Sequence, residues 1–170
     1  TVSISTKKIK EKLEKYPNIK LGEYISHTIS KILKKFPKLN AYYNSDKIYI
    51  YKDINIGMVV GFEEDLFVPV IHNTNNLSLE EFSSKFKELV FKVIKGDIKI
   101  EDLSKGTFTI SDLSQYGIIE FDPLINSNQS AILGISSEHD DKLNLTLVFD
   151  HRVTNGKYAA EFLNELKKLL

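Results

Sequence analysis

Residues 143–156 read LNLTLVFDHRVTNG and join an apolar run to a chain reversal. The run Leu143–Phe149 predicts a largely buried strand that delivers His151 to the reversal. A helical pattern follows at once, with apolar residues on one face at positions 159, 162, 163, 166 and 169. A histidine held between a strand and a helix is well placed to move protons, because the ordinary pKa of histidine lies near neutrality.

The neighbours of His151 strengthen this interpretation. A lone histidine at a strand end is usually a partly exposed residue, whereas a catalytic imidazole needs groups that fix its tautomer and orientation. Asp150 and Arg152 lie two residues apart, and we expect them to form a structural ion pair that shapes the turn. We expect Asn155 to preserve the geometry and, since it carries no charge, to leave His151 more readily neutral than an aspartate would.

The composition fits one globular domain. The chain has 170 residues, 42% of them hydrophobic, and its 23 basic and 23 acidic residues cancel. This balance gives no indication of a nucleic acid or an anionic membrane as partner. The absence of cysteine excludes disulfides, thiolate nucleophiles and zinc–thiolate sites. No pair of histidines has a metal-binding spacing with carboxylates, so no metal is expected.

The pattern of apolar residues predicts an α/β domain with two layers, a mixed sheet and helices packed on it, because hairpins and helical crossovers both occur. A capping box at Ser78–Glu81 predicts the start of a long helix that ends at Gly96. The predicted helices cover 6–16, 21–36, 78–95 and 156–169, and the predicted strands cover 1–5, 41–43, 47–51, 55–62, 66–71, 107–111, 130–135 and 143–150. No glycine-rich phosphate-binding loop is present.

Several short motifs follow one another in a familiar order. Residues 150–156 are similar to Asp-His-Arg-x-x-Asp-Gly, and residues 106–111 read Gly-Thr-Phe-Thr-Ile-Ser. Further matching segments lie at 36–40, 54–57, 68–70, 123–126 and 131–134. Together they resemble the catalytic domain of dihydrolipoamide acyltransferases, the core components of 2-oxoacid dehydrogenase complexes. Two positions depart from the family pattern: Asn155 replaces the usual Asp, and Asp65 replaces a common Gly.

The resemblance implies a chloramphenicol-acetyltransferase-like fold that assembles as homotrimers, with each active site between two subunits. It assigns three catalytic residues: His151 as the general base, Asn155 four positions further on, and Ser111 of the neighbouring subunit as the hydroxyl that stabilises the oxyanion. Coenzyme A and a lipoyl-lysine arm, supplied by a separate domain, would reach the site from opposite ends of a channel. The residues that bind coenzyme A are not assigned.

The resemblance also implies a place in a larger assembly. Trimers of this family commonly build cubic or dodecahedral cores, with a decarboxylase and a dihydrolipoamide dehydrogenase as partners. Residues 1–170 are expected to be a single acyltransferase catalytic domain that lacks an N-terminal segment and the lipoyl and subunit-binding domains of a longer chain. The expected location is the cytoplasm of a bacterium or the matrix of an organelle.

Direct acyl transfer between two thiols suits a chain without cysteine. His151 would take the thiol proton and Ser111 would donate to the oxyanion, although a strand-end serine can equally cap the backbone. Two other functions stay open: a trimeric scaffold with weak or no catalysis, and a related acyltransferase with a different acceptor. The acyl group is also open. Tyr116, Phe121 and Gln129 lie near the segment expected to line the channel.

Overall fold

The computed structural model describes residues 1–170 and contains ten strands and four α-helices. The strands are β1 (Val2–Ser5), β2 (Ala41–Asn44), β3 (Lys47–Ile50), β4 (Ile56–Met58), β5 (Val60–Phe62), β6 (Asp65–Phe67), β7 (Val70–Ile71), β8 (Phe108–Asp112), β9 (Ala131–Ile135) and β10 (Lys142–Phe149). The helices are α1 (Lys7–Leu13), α2 (Leu21–Ile32), α3 (Leu79–Lys95) and α4 (Gly156–Leu169). No helix is both long and apolar enough to cross a membrane.

Six strands form the predicted mixed sheet, and their order in it is β1-β10-β9-β8-β4-β7. β8 runs parallel to both β4 and β9, whereas β10 runs antiparallel to β9. Phe149, at the end of β10, lies opposite Ala131, at the start of β9. The turn that carries His151 therefore lies at the end of the sheet where the central strands β8 and β9 begin.

The helices and the sheet enclose one continuous apolar core. Along β8, Phe108 and Ile110 belong to this core, while Thr109 between them faces the other side of the sheet. Phe162 of α4 packs against Phe108, with ring centroids 6.4 Å apart. Each such buried side chain contributes about 1.5–3 kcal/mol of burial free energy. The contact holds α4 on the sheet and so positions the reversal that precedes this helix.

The two strands predicted at 55–62 and 66–71 are each divided. β5 and β6 form a separate two-stranded ribbon, while β4 and β7 stay in the main sheet. Pro69 separates β6 from β7 because it has no N–H to donate to a ladder, and its carbonyl accepts instead from the N–H of Met58 at 3.0 Å. The first helix ends at Leu13, three residues earlier than predicted.

Candidate active site

Backbone hydrogen bonds fix the turn that carries His151. The N–H of Asp150 donates to the carbonyl of Ser130 at 2.8 Å, which ties the turn to the start of β9. The carbonyl of Asp150 accepts from Val153 at 2.9 Å and from Thr154 at 3.1 Å. These backbone hydrogen bonds hold residues 150, 153 and 154, but none of them uses the N–H of His151 or of Arg152.

Asp150 and Arg152 form the predicted ion pair. The Asp150 carboxylate accepts from the backbone N–H of Arg152 at 2.9 Å, from its Nε at 3.0 Å and from its Nη2 at 2.7 Å. Only 15% of the Asp150 side chain is exposed. The hydrogen bonds from the Arg152 side chain lower the pKa of Asp150, although desolvation acts in the opposite direction. The carboxylate therefore stays ionised and keeps the turn closed at neutral pH.

The His151 imidazole is exposed and rests against the ring of Phe149, with centroids 4.7 Å apart. No hydrogen bond within the chain holds either ring nitrogen. The ring opens onto a cleft of about 460 Å³ lined by Tyr42, Tyr43, Phe149 and residues 125–129 and 150–152. An accessible imidazole in a cleft of this kind can accept a proton from a bound ligand.

Polar contacts hold the far wall of this cleft. Thr109 donates to Oε1 of Gln129 at 2.8 Å and accepts from Nδ2 of Asn126 at 2.9 Å, so the 126–129 segment is fixed to β8. The hydroxyl of Tyr51 donates to the carbonyl of Asn128 at 2.8 Å. A second cavity, of about 350 Å³, shares the same four residues, 126–129. Of these residues, only Gln129 was predicted to lie near the channel. The contacts with Thr109 and Tyr51 join segments that are distant along the chain, so the sequence did not indicate them.

Asn155 occupies the N-cap position of α4. Its Oδ1 accepts from the backbone N–H of Tyr158 at 3.1 Å, which satisfies one of the free donors at the helix start. The side chain thus preserves local geometry in the way expected of an uncharged hydrogen-bonding residue. Within the chain, no hydrogen bond joins it to His151.

Ser111 lies far from His151 within one chain. It pairs with Gly134 in the sheet, whereas Phe149 pairs with Ala131 at the other end of β9. The offset of three residues between Gly134 and Ala131 corresponds to roughly 10 Å along the strands, and His151 lies beyond Phe149 in the turn. The Ser111 side chain is half-buried, and no hydrogen bond within the chain holds its hydroxyl. A single chain therefore does not bring the predicted base and the predicted oxyanion donor together.

Gly22 permits the conformation of the strand end beside Ser111. A Cβ at Gly22 would lie 1.8 Å from Oδ2 of Asp112, which is the next residue after Ser111. Oδ1 of Asp112 accepts from the N–H of Ser114 at 2.9 Å and shapes the turn that follows β8. A cavity of about 290 Å³ adjoins this strand end and includes Lys20. Sequence reasoning did not identify Gly22, since its constraint comes from a strand distant along the chain.

Gly22→Ala is expected to displace the Asp112 carboxylate and to lower the free energy of unfolding by about 1 kcal/mol, because the cost of overpacking this contact exceeds what alanine gains over glycine within α2. The measurement is equilibrium unfolding in urea. Gly61→Ala is the matched control, since a Cβ at Gly61 would meet no atom within 4 Å. Equal stability of the two variants would contradict this account of Gly22.

Comparison with known proteins identifies relatives over nearly the whole chain. Residues 3–170 match the family described as 2-oxoacid dehydrogenases acyltransferase, catalytic domain. The dihydrolipoyllysine-residue succinyltransferase component of the 2-oxoglutarate dehydrogenase complex of Buchnera aphidicola from Schizaphis graminum is 34% identical over 96% of this chain. The acetyltransferase component of the pyruvate dehydrogenase complex of Buchnera aphidicola from Acyrthosiphon pisum is 37% identical over 90%. The chain spans 45% and 42% of these two relatives.

Solved structures confirm the predicted fold. Dihydrolipoamide acetyltransferase of Azotobacter vinelandii superposes with a TM-score of 0.91 at 26% identity, over 99% of this chain and 78% of that one. That structure is described as an investigation of the roles of a serine, a histidine and an asparagine in its catalytic mechanism. A cubic core of a pyruvate dehydrogenase multienzyme complex has a TM-score of 0.88 at 27% identity, over 99% and 78%. Chloramphenicol acetyltransferase, at 0.68 and 10% over 99% and 86%, shares the fold.

Proposed function

The chain belongs to the family of 2-oxoacid dehydrogenase acyltransferase catalytic domains, and we propose that it transfers an acyl group between a dihydrolipoyl thiol and coenzyme A. The observation that carries this proposal is the His151 imidazole, which opens onto a cleft from a fixed turn. The acetyltransferase of Azotobacter vinelandii offers support, since its catalytic histidine and asparagine are four positions apart, as are His151 and Asn155.

The proposed reaction is direct transfer between two thiols. A free thiol has a pKa of about 8.5, so little thiolate is present at neutral pH. Neutral His151 removes the proton from the incoming thiol, and the sulfur attacks the thioester carbonyl. The resulting oxyanion accepts a hydrogen bond from the Ser111 hydroxyl. Collapse of the intermediate breaks the bond to the original thiol, and the imidazolium returns its proton to the departing thiolate.

We propose that this site is completed by a second subunit of a homotrimer. Ser111 and His151 are separated within one chain, and the Ser111 hydroxyl has no partner there. The segment that follows Ser111 exposes apolar side chains, including Ile119 at 59% and Leu124 at 88%. Apolar exposure of this extent is typical of a surface that an assembly covers. The likeness to a cubic core supports a larger assembly built from such trimers.

The proposed partners follow from the relatives' complexes. As the family resemblance implies, a separate domain would carry the lipoyl-lysine arm, and a decarboxylase and a dihydrolipoamide dehydrogenase would complete the complex. The two relatives named as components of dehydrogenase complexes support a place in such a complex. The cleft at His151 and the cavity beside Ser111 lie toward opposite ends of β8, and each could admit a thiol substrate to a site shared between subunits. We propose the cytoplasm of a bacterium or the matrix of an organelle as the location of this complex.

The test is acyl transfer from acetyl-, succinyl- and isobutyryl-coenzyme A to dihydrolipoamide, with oligomer mass measured on the same samples. The expected result is turnover by a trimer or a larger core, with one acyl group preferred. This preference would identify the complex, because the relatives include both succinyl and acetyl transferases. A confirmed trimer without turnover on any of the three would contradict the enzyme and favour a scaffold.

Asn155→Asp is expected to move the acidic limb of the pH–rate profile to higher pH. A carboxylate near His151 favours the protonated imidazole, so a smaller fraction of the base is neutral at a given acidic pH. Stability should be unchanged, because aspartate is as good an N-cap as asparagine. Asn155→Ala is the control and should lose about 1 kcal/mol of stability without the shift. An unchanged profile in Asn155→Asp would contradict an electrostatic role for this position.

A further inference from the structure

We infer that Tyr43, on the β2–β3 hairpin, is a positioning residue that holds the His151 turn in place through Arg152. The inference rests on the proposed function, since its main readout is acyl transfer. The ring of Tyr43 lies 4.5 Å from the guanidinium carbon of Arg152. Arg152 in turn grips the Asp150 carboxylate, so the three side chains form one chain of contacts on either side of His151.

The stack on Tyr43 gives Arg152 a fixed place that the ion pair alone would not give. The Arg152 side chain is 64% exposed, and exposed ion pairs contribute little because water and salt screen them and long side chains resist ordering. A guanidinium over an aromatic face gains a further electrostatic attraction to the electron-rich face of the ring. The ring also covers one face of the guanidinium and so restricts its rotation toward solvent.

A hydrogen bond within the hairpin holds the Tyr43 side chain in turn. Its hydroxyl donates to Oδ1 of Asp46 in the hairpin turn at 2.7 Å. This hydrogen bond, with some desolvation, raises the pKa of Tyr43, so the phenol stays protonated and keeps donating at neutral pH. A second hydrogen bond joins the chain just after β3 to the opposite wall of the cleft: the Tyr51 hydroxyl donates to the carbonyl of Asn128. The hairpin thus contacts both walls of the cleft that contains His151.

The orientation of the His151 imidazole depends on the stack of Tyr43 on Arg152, because few other contacts within the chain hold this ring. Its only ring contact within the chain is with Phe149, and no hydrogen bond holds its nitrogens. Asp150, which precedes it, and Arg152, which follows it, are joined because three N–H groups of Arg152 donate to the Asp150 carboxylate. Loss of the Tyr43 ring would free Arg152, loosen this bridge and let His151 leave the orientation that proton transfer needs.

The experiment compares three variants of the full-length protein. Tyr43→Leu removes the ring and is expected to lower kcat about two- to fivefold, as the loss of an exposed cation–π contact implies, with unchanged KM for both substrates. Tyr43→Phe keeps the ring on Arg152 and loses only the hydrogen bond to Asp46, so its kcat is expected to lie closer to that of the unmodified protein than to that of Tyr43→Leu. Tyr49→Leu is the matched control: Tyr49 stacks on Tyr42 at 5.0 Å on the same hairpin and makes no contact with Arg152. Its kcat is expected to be that of the unmodified protein.

A readout independent of turnover is the rate at which diethyl pyrocarbonate modifies His151, followed by mass spectrometry. This rate is expected to rise in Tyr43→Leu only, as the imidazole leaves Phe149. A higher KM at unchanged kcat would make Tyr43 a substrate contact, and an equal loss in Tyr49→Leu would make it a fold residue; either overturns the inference. Absence of turnover in the protein without substitutions would overturn the proposed function. If Tyr43→Leu left the rate of His151 labelling by diethyl pyrocarbonate unchanged, the role of Tyr43 would be overturned.

Discussion

His151→Ala is expected to lower kcat by about 10²–10⁴-fold, the usual contribution of a positioned general base. The side chain is exposed, with its ring against that of Phe149, so the fold should be retained. The variant should recover part of its rate at alkaline pH, because the thiol substrate then ionises without a base. The measurement is kcat for dihydrolipoamide across a range of pH, with thermal unfolding to confirm the fold.

His139→Ala is the matched control for this experiment. His139 is also exposed, and it pairs with Asp140 at 3.1 Å in the hairpin that leads into β10. His139 lines neither the cleft at His151 nor the cavity beside Ser111, so the kcat of His139→Ala is expected to be unchanged. A His151→Ala variant that keeps more than about a tenth of wild-type kcat at neutral pH would contradict general-base catalysis by this residue.

Ser111→Ala is expected to lower kcat by roughly 10²–10³-fold, which is the effect of removing one oxyanion donor in known cases. KM should change little, since the hydrogen bond strengthens only as charge develops on the carbonyl oxygen. The substitution removes a half-buried hydroxyl without a partner in the chain, so the stability of the subunit should be close to that of the unmodified protein.

The control for Ser111→Ala is Ser114→Ala, three residues further along. Ser114 contributes its backbone N–H to Asp112, and this bond survives the substitution. Its kcat is therefore expected to be that of the unmodified protein. If Ser111→Ala raised KM while kcat was unchanged, the hydroxyl would be a ground-state contact and the oxyanion assignment would be wrong.

The local parts of the fold could be predicted because each has its own signal in the chain. The capping box at Ser78, with its reciprocal bonds to Glu81, begins α3 as expected. Gly96, in the left-handed region at a φ of 71°, follows its last turn. The reversal at 150–156 also follows its pattern, with an apolar strand before it and an N-cap at Asn155. Such signals lie within a few residues of the structure that they specify.

The remaining features depend on contacts between segments that are distant along the chain. Pro69 was visible in the sequence, yet the division of its strand required knowing that Met58 donates to its carbonyl. The stack of Tyr43 on Arg152 and the approach of Asp112 to Gly22 have no local pattern at all. They arise only when the sheet brings these segments together.

The most direct test of the shared active site mixes two inactive subunits. His151→Ala and Ser111→Ala chains, co-expressed in equal amounts, should assemble into mixed trimers. If each site takes its base from one subunit and its hydroxyl donor from the next, about a quarter of the sites receive both intact residues. The account predicts recovery of roughly a quarter of wild-type kcat per site. Mixed trimers that are confirmed by mass and remain as inactive as either parent would contradict it.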